Sequence, residues 1–274
     1  MAILKLKILP FFLFFWGLLF LVSTGTARAD HVQFYVDALP PYAVLHEDSP
    51  PTGFAVELMG HLMDEVGEHF APSDIKVMNW ARAVHEVEVV AGTSLLVLAK
   101  LPERVDRFKW VGPMDTLPIG VFAAKDSHVV VKKVSDLKKY SIGMVRNTAP
   151  YRVLIKAVPE IWQNLIMLSG IPAQLRMLRE GRVDVIVQAV GASNTLMDDE
   201  GMDTENYRIV YRFEPLQIYF GFNKSTNDKL IRRLQSALDR FKQVDASGTS
   251  PYDRLREKFF GGAEAEVSGE TDAE

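Results

Sequence analysis

Apolar and polar positions change period repeatedly along this chain, between two and about three and a half residues. His31 to Val36 (HVQFYV) alternates as a strand does, and Phe54, Leu58, Leu62 and Val66 then recur at helical spacing. That spacing predicts an amphipathic helix from Gly53 to about Phe70. A strand is expected over 75–78 and a helix over 81–90. Leu95 to Ala99 is a continuous apolar run, of strand length and too short for a helix. The alternation resumes with strands expected at 117–124, 140–145, 165–168, 181–187, 207–211 and 216–222. Helices are expected at 135–139, 149–157, 174–180, 193–200, 228–244 and 252–259. Strands that alternate with helices in this way predict an α/β fold built on parallel strands.

Breakers sharpen the picture around one stretch, Ala91 to Met114. The buried strand at 95–99 gives way to Pro102, which opens a helical turn because the first amide of a helix has no partner to lose. That turn carries Arg104 and Arg107, and the chain leaves through Phe108, Trp110 and Gly112-Pro113. A guanidinium is therefore delivered to the carboxyl end of a strand, the edge at which open α/β sheets bind ligands. Its planar fork suits a carboxylate in a way that lysine cannot reproduce. An ordinary ion pair of Arg104 with Glu103 or Asp106 is the alternative.

Composition narrows the function. The 274 residues are 48% hydrophobic and 24% charged with a net charge of −4, a globular balance without the basic stripe of a nucleic-acid binder. No cysteine is present, so disulfides, thiolate catalysis and cysteine-held metals are excluded. The six histidines form no HExxH-type pair, and no nucleophile elbow, P-loop or dinucleotide fingerprint occurs, so neither a metal nor a cofactor is expected. At the N-terminus, Lys5 and Lys7 precede an apolar core from Ile8 to Val22 and then Ala27-Arg28-Ala29, the pattern of a cleavable signal peptide. Cleavage after Ala29 and export to the periplasm follow; an uncleaved anchor is the alternative.

Leu101-Pro102-Glu103-Arg104, Phe108 and Gly112-Pro113 resemble the "TPER…F…P" signature of family 3 extracellular solute-binding proteins, the receptors of polar amino-acid ABC importers. Gly53 to Leu58 is similar to that family's "GF-x-V-D/E-L", Asp136-Leu137-Lys138 with Ile142-Gly143 to its "DLKG…IG", and Gly181 to Val187 to its "GRVDAVV". The resemblance implies a two-lobed α/β fold with two crossing strands as hinge, near 118–124 and 213–222. Its expected parts are a signal peptide at 1–29, lobe 1 at 30–120, lobe 2 at 121–217, a return to lobe 1 at 218–260 and a disordered acidic tail at 261–274. It implies that Arg104 clamps a ligand carboxylate and that Tyr42 and Trp80 wall the cleft. Asn147, standing where a glycine is usual, and Thr148 would close on the ligand from lobe 2. Packing over a loop for Tyr42, a core position for Trp80 and an N-cap for Thr148 are the alternatives. Arg82 is either a second anion contact or a cap of its own helix. Gln188 stands where an ammonium-binding aspartate is usual, and the first lobe lacks the corresponding acid.

The resemblance therefore implies a non-enzymatic periplasmic receptor, monomeric, that hands a small carboxylate-bearing solute to an inner-membrane ABC permease. A cyclohexadienyl-dehydratase-like enzyme on the same scaffold is one alternative, with Glu57 as its nearest general acid. A ligand-sensing partner of a membrane signalling protein is the other.

Overall fold

The computed structural model describes residues 32–268. The expected signal peptide lies outside these residues, as does the end of the acidic tail. Among the described residues eight strands form one sheet: β1 (Gln33–Val36), β2 (Lys76–Val77), β3 (Thr93–Ala99), β4 (Phe108–Ala124), β5 (Ile142–Val145), β6 (Leu165–Leu168), β7 (Val185–Ala189) and β8 (Tyr207–Asn223). Their order across the sheet is β2-β1-β3-β8-β4-β7-β5-β6. The helices are α1 (Phe54–Glu65), α2 (Trp80–Val89), α3 (Ala149–Ala157), α4 (Ile171–Arg179), α5 (Val190–Asp199), α6 (Asp228–Phe241) and α7 (Pro251–Ser268). Among the described residues no helix is long and apolar enough to cross a membrane.

The two central strands make the architecture two-lobed. Both are 17 residues long and run antiparallel, side by side. Phe108–Val111 of β4 pairs with Phe220–Asn223 of β8, and that part of β8 also pairs with β3, which leads on to β1 and β2. Ile119–Ala124 of β4 pairs with Tyr207–Phe213 of β8 and, on its other edge, with β7, which leads on to β5 and β6. Each lobe thus has its own set of parallel strands, and the paired strands cross between them.

The register slips between Val111 and Asp115 and again between Leu117 and Ile119. Pro113, Pro118 and Pro215 occupy these slips, where a residue without an amide hydrogen costs no ladder bond. That is why β8 is one strand where the pattern predicts two, at 207–211 and 216–222. The prolines that read as a break are absorbed as bulges.

Helix α1 ends at Glu65, before the expected Phe70, because Gly67 takes φ 67° and turns the chain out of the helix. At its start Gly53 has φ 119°, and a Cβ there would sit 2.6 Å from the Tyr42 carbonyl oxygen, so only glycine fits. Phe54, Leu58 and Leu62 are fully buried beneath the lobe 1 strands, as their spacing predicts. Asp184 accepts bonds from the Ser141 amide and hydroxyl, both 2.7 Å, and ties the β7 turn to β5.

Candidate ligand-binding cavity

The carboxyl ends of β1, β3, β5 and β7 face one another across the crossing strands, and a cavity of about 80 Å³ lies between them. From lobe 1 it is lined by Val36 to Leu39, Asn79, Trp80, Leu95, Val97 and Ala99. Lobe 2 adds Val145, Thr148 to Pro150, Gly170, Ile171, Gln188 and Ala189, and the crossing strands add Leu117 and Ile218. The strands and the loops that follow them place these groups, which is the expected location for a site in such sheets. Among the described residues the wall is mainly apolar, and Asp37 is its only ionisable side chain. Asp37 Oδ1 accepts from the Ala38 amide (2.9 Å) and Oδ2 from the Trp80 amide (2.8 Å), which fixes the carboxylate against the start of α2. Burial pushes its pKa up, and these two amide bonds only partly offset that.

Of the residues singled out in the sequence, Trp80, Thr148 and Gln188 reach this wall. Thr148 is the N-cap of α3: its hydroxyl accepts from the Tyr151 amide (3.4 Å) and donates to the Val145 carbonyl (2.9 Å). Gln188 is buried, donates to Gln174 Oε1 (3.1 Å) and accepts from the Ala189 amide (2.9 Å). Arg104 stands just behind the wall, 3% exposed. Its Nη1 donates to the Ala99 carbonyl (3.3 Å) and its Nη2 to the Asn147 carbonyl (2.8 Å), while the guanidinium carbon lies 5.9 Å from the Trp80 ring centroid. Burial pushes its pKa down to about 10. Arg104 lines a separate polar recess of about 200 Å³, with Glu103, Asn147 and Arg152, rather than the cavity.

Asn147 has φ 60°, a left-handed conformation that glycine and asparagine tolerate best, which accounts for asparagine in a position where glycine is usual. That turn exposes its carbonyl to two donors from lobe 1, Arg104 Nη2 and Trp80 Nε1 (3.3 Å). Asn79 Nδ2 donates across the same gap to the Ser169 carbonyl (3.3 Å), and Arg152 Nε lies 3.8 Å from Glu103 Oε1.

Besides Arg104 and Asn147, which line the separate recess, two more residues are not brought to the cavity. Arg82 is exposed on α2 and pairs with Glu86 one turn later (3.7 Å). Tyr42 is buried in lobe 1, edge-on to Phe54 and Phe260, and its hydroxyl donates to the Thr116 carbonyl (2.8 Å). The proline pair ahead of Tyr42 turns its ring into the core, so packing takes the place of the cleft wall implied by the resemblance. Tyr42→Phe should therefore lower stability by about 1 kcal/mol in urea unfolding and leave ligand-induced stabilisation unchanged.

No protein-family model and no curated protein matches the sequence. Solved structures do match it. One is a histidine kinase sensor domain with similarity to periplasmic binding proteins, at TM-score 0.73 and 17% identity over 85% of this chain and 97% of that one. Another is an ancestral arginine-binding protein bound to arginine, at TM-score 0.71 and 17% identity over 85% and 100% of the two chains. A third is the substrate binding protein of an amino acid ABC transporter, at TM-score 0.68 and 18% identity over 84% and 99%. The chain has the periplasmic binding-protein fold.

Within that binding-protein fold, Asp37 is the site residue that sequence reasoning passes over. The available signal is the one used for Arg104, a charged side chain at the carboxyl end of a predicted strand. It is masked by the more conspicuous Pro40-Pro41-Tyr42 that follows.

Proposed function

We propose that the protein is an exported receptor that closes its two lobes on a small solute and delivers it to an inner-membrane ABC permease. The observation that carries this reading is the cavity between the strand ends of both lobes, with the paired crossing strands as its floor. Two-lobed closure about such strands is an established mode of ligand capture. Glu57, the general acid weighed for a dehydratase on this scaffold, pairs with Lys258 (2.6 Å) and is not part of the cavity wall, which removes it from that role. The similarity to a kinase sensor domain supports a second reading, in which the closed form docks on a signalling protein.

The test is a thermal-shift screen of the exported protein against amino acids, dicarboxylates, aromatic acids, amines and neutral solutes. A ligand at a hundred times its dissociation constant should add about 2.7 kcal/mol. A screen in which no class raises the melting temperature would overturn the receptor. Photo-crosslinking of the liganded protein in its native envelope then separates the two readings. Crosslinks to an ABC permease support delivery, and crosslinks to a sensor kinase instead move the protein to signalling.

A further inference from the structure

We infer that the cavity takes a small ammonium-bearing solute with an apolar body and no carboxylate, its charge set against Asp37 and its body against Trp80, Leu39, Val97 and Ile171. This rests on the receptor reading above and names its ligand class.

Each side-chain donor atom on the cavity wall already makes a bond within the protein: Asn79 Nδ2 to Ser169, Trp80 Nε1 to Asn147, Thr148 Oγ1 to Val145 and Gln188 Nε2 to Gln174, which leaves over only the second N–H of the Asn79 and Gln188 amides. Asp37 is the reverse case. A carboxylate has about four lone-pair positions, and the two amide bonds fill only two of them. Among the described residues Asp37 has no ion-pair partner. A carboxylate facing an apolar cavity without a counter-charge is costly, and an ammonium ligand supplies both the charge and the missing donors.

A ligand carboxylate would meet the opposite conditions. It would share the cavity with a carboxylate and find no cation on the wall. Arg104 turns two of its nitrogens to the Ala99 and Asn147 carbonyls and is buried behind the wall. Trp80 lines the same wall, with the Arg104 guanidinium over its ring at 5.9 Å. Size sets a further bound. A cavity of roughly 150 Å³ holds benzene, so the 80 Å³ here suits a short aliphatic body in the closed arrangement.

Asp37 also has a structural use, since a negative group at the start of α2 favours that helix. That use explains the bond to the Trp80 amide and would not make any ligand respond to the charge at position 37. The test therefore compares four probes of matched length: n-butylamine, 4-aminobutyrate, butyrate and 1-butanol. Each is titrated calorimetrically at constant ionic strength. Butylamine should bind at least tenfold tighter than butyrate or butanol, and tighter than 4-aminobutyrate. Asp37→Asn should weaken the amine tenfold or more, and Ile171→Trp, which fills the cavity and keeps the carboxylate, should do the same.

Tighter binding of butyrate or 4-aminobutyrate would overturn the inference, and so would amine binding unchanged in both variants. If none of the four binds while another class succeeds in the broad screen, the ligand class is wrong and the receptor stands. Silence in both experiments removes both. Should Asp37→Asn fail to fold, Ile171→Trp and the order of the four probes still decide.

Discussion

Phe54→Ala is expected to lower the stability of the protein by about 3–5 kcal/mol, the cost of emptying a large aromatic site in a packed core. The ring is 0% exposed. It meets four other rings edge-on: Tyr42 at 6.1 Å, Tyr252 at 5.6 Å, Phe259 at 6.4 Å and Phe260 at 5.4 Å between centroids. These rings come from the loop after β1, from α1 and from α7, so one side chain holds together segments far apart in the chain. The backbone adds to this, with the Phe54 amide donating to the Pro41 carbonyl (3.0 Å). Urea unfolding followed by tryptophan fluorescence measures the loss. Phe54→Leu should cost less than about 1.5–2 kcal/mol, because it keeps most of the volume. A loss below about 1 kcal/mol for the alanine variant would show that the ring cluster does not act as one unit. The effect should extend to binding, because the loop that Phe54 pins begins at Asp37.

The fold was legible because period and breakers were enough to place it. Helix α3 and strand β6 fall where the pattern puts them, at Ala149–Ala157 and Leu165–Leu168. The apolar run at 95–99 is the buried heart of β3. The crossing strands were harder to bound. Their interior prolines carry the signature of a chain break, and only the partner strand shows that a slip in register absorbs them.

The site was legible in part, and the residues divide by what a sequence can encode. Trp80 and Thr148 reach the cavity because they follow strand ends, and Gln188 because it is the next-to-last residue of β7, positions that the pattern gives directly. The fate of Tyr42 depended on which way a proline pair turned its ring. The fate of Arg104 depended on a carbonyl 43 residues away, which the left-handed backbone of Asn147 turns toward it. Hydrogen bonding is a property of three-dimensional neighbours, so the two open acceptor positions of Asp37 could not be read from residue order.

That same bond makes Arg104 the residue whose loss should most change the shape of the protein. Its Nη2 bond to the Asn147 carbonyl joins the lobes, beside the Trp80 and Asn79 bonds and the Glu103–Arg152 pair. A hydrogen bond from a charged donor contributes about 1.5–3 kcal/mol. At 1.4 kcal/mol per factor of ten, Arg104→Ala should shift the lobes toward the open form by roughly 10- to 150-fold. Small-angle scattering should show a larger radius of gyration, and the amides of 146–148 should exchange faster with solvent. Arg104→Lys should restore closure only in part, since a point charge replaces a planar fork. An unchanged radius and exchange rate in Arg104→Ala would show that the other contacts close the lobes unaided. Ligand binding separates a latch from a clamp. A latch acts on closure, so its loss weakens every ligand by a similar factor, because only the fraction of closed protein has changed. A clamp acts on the ligand, so its loss weakens carboxylates and spares amines. The bonds of Arg104 to the Ala99 and Asn147 carbonyls, and its place outside the cavity wall, point to the uniform loss.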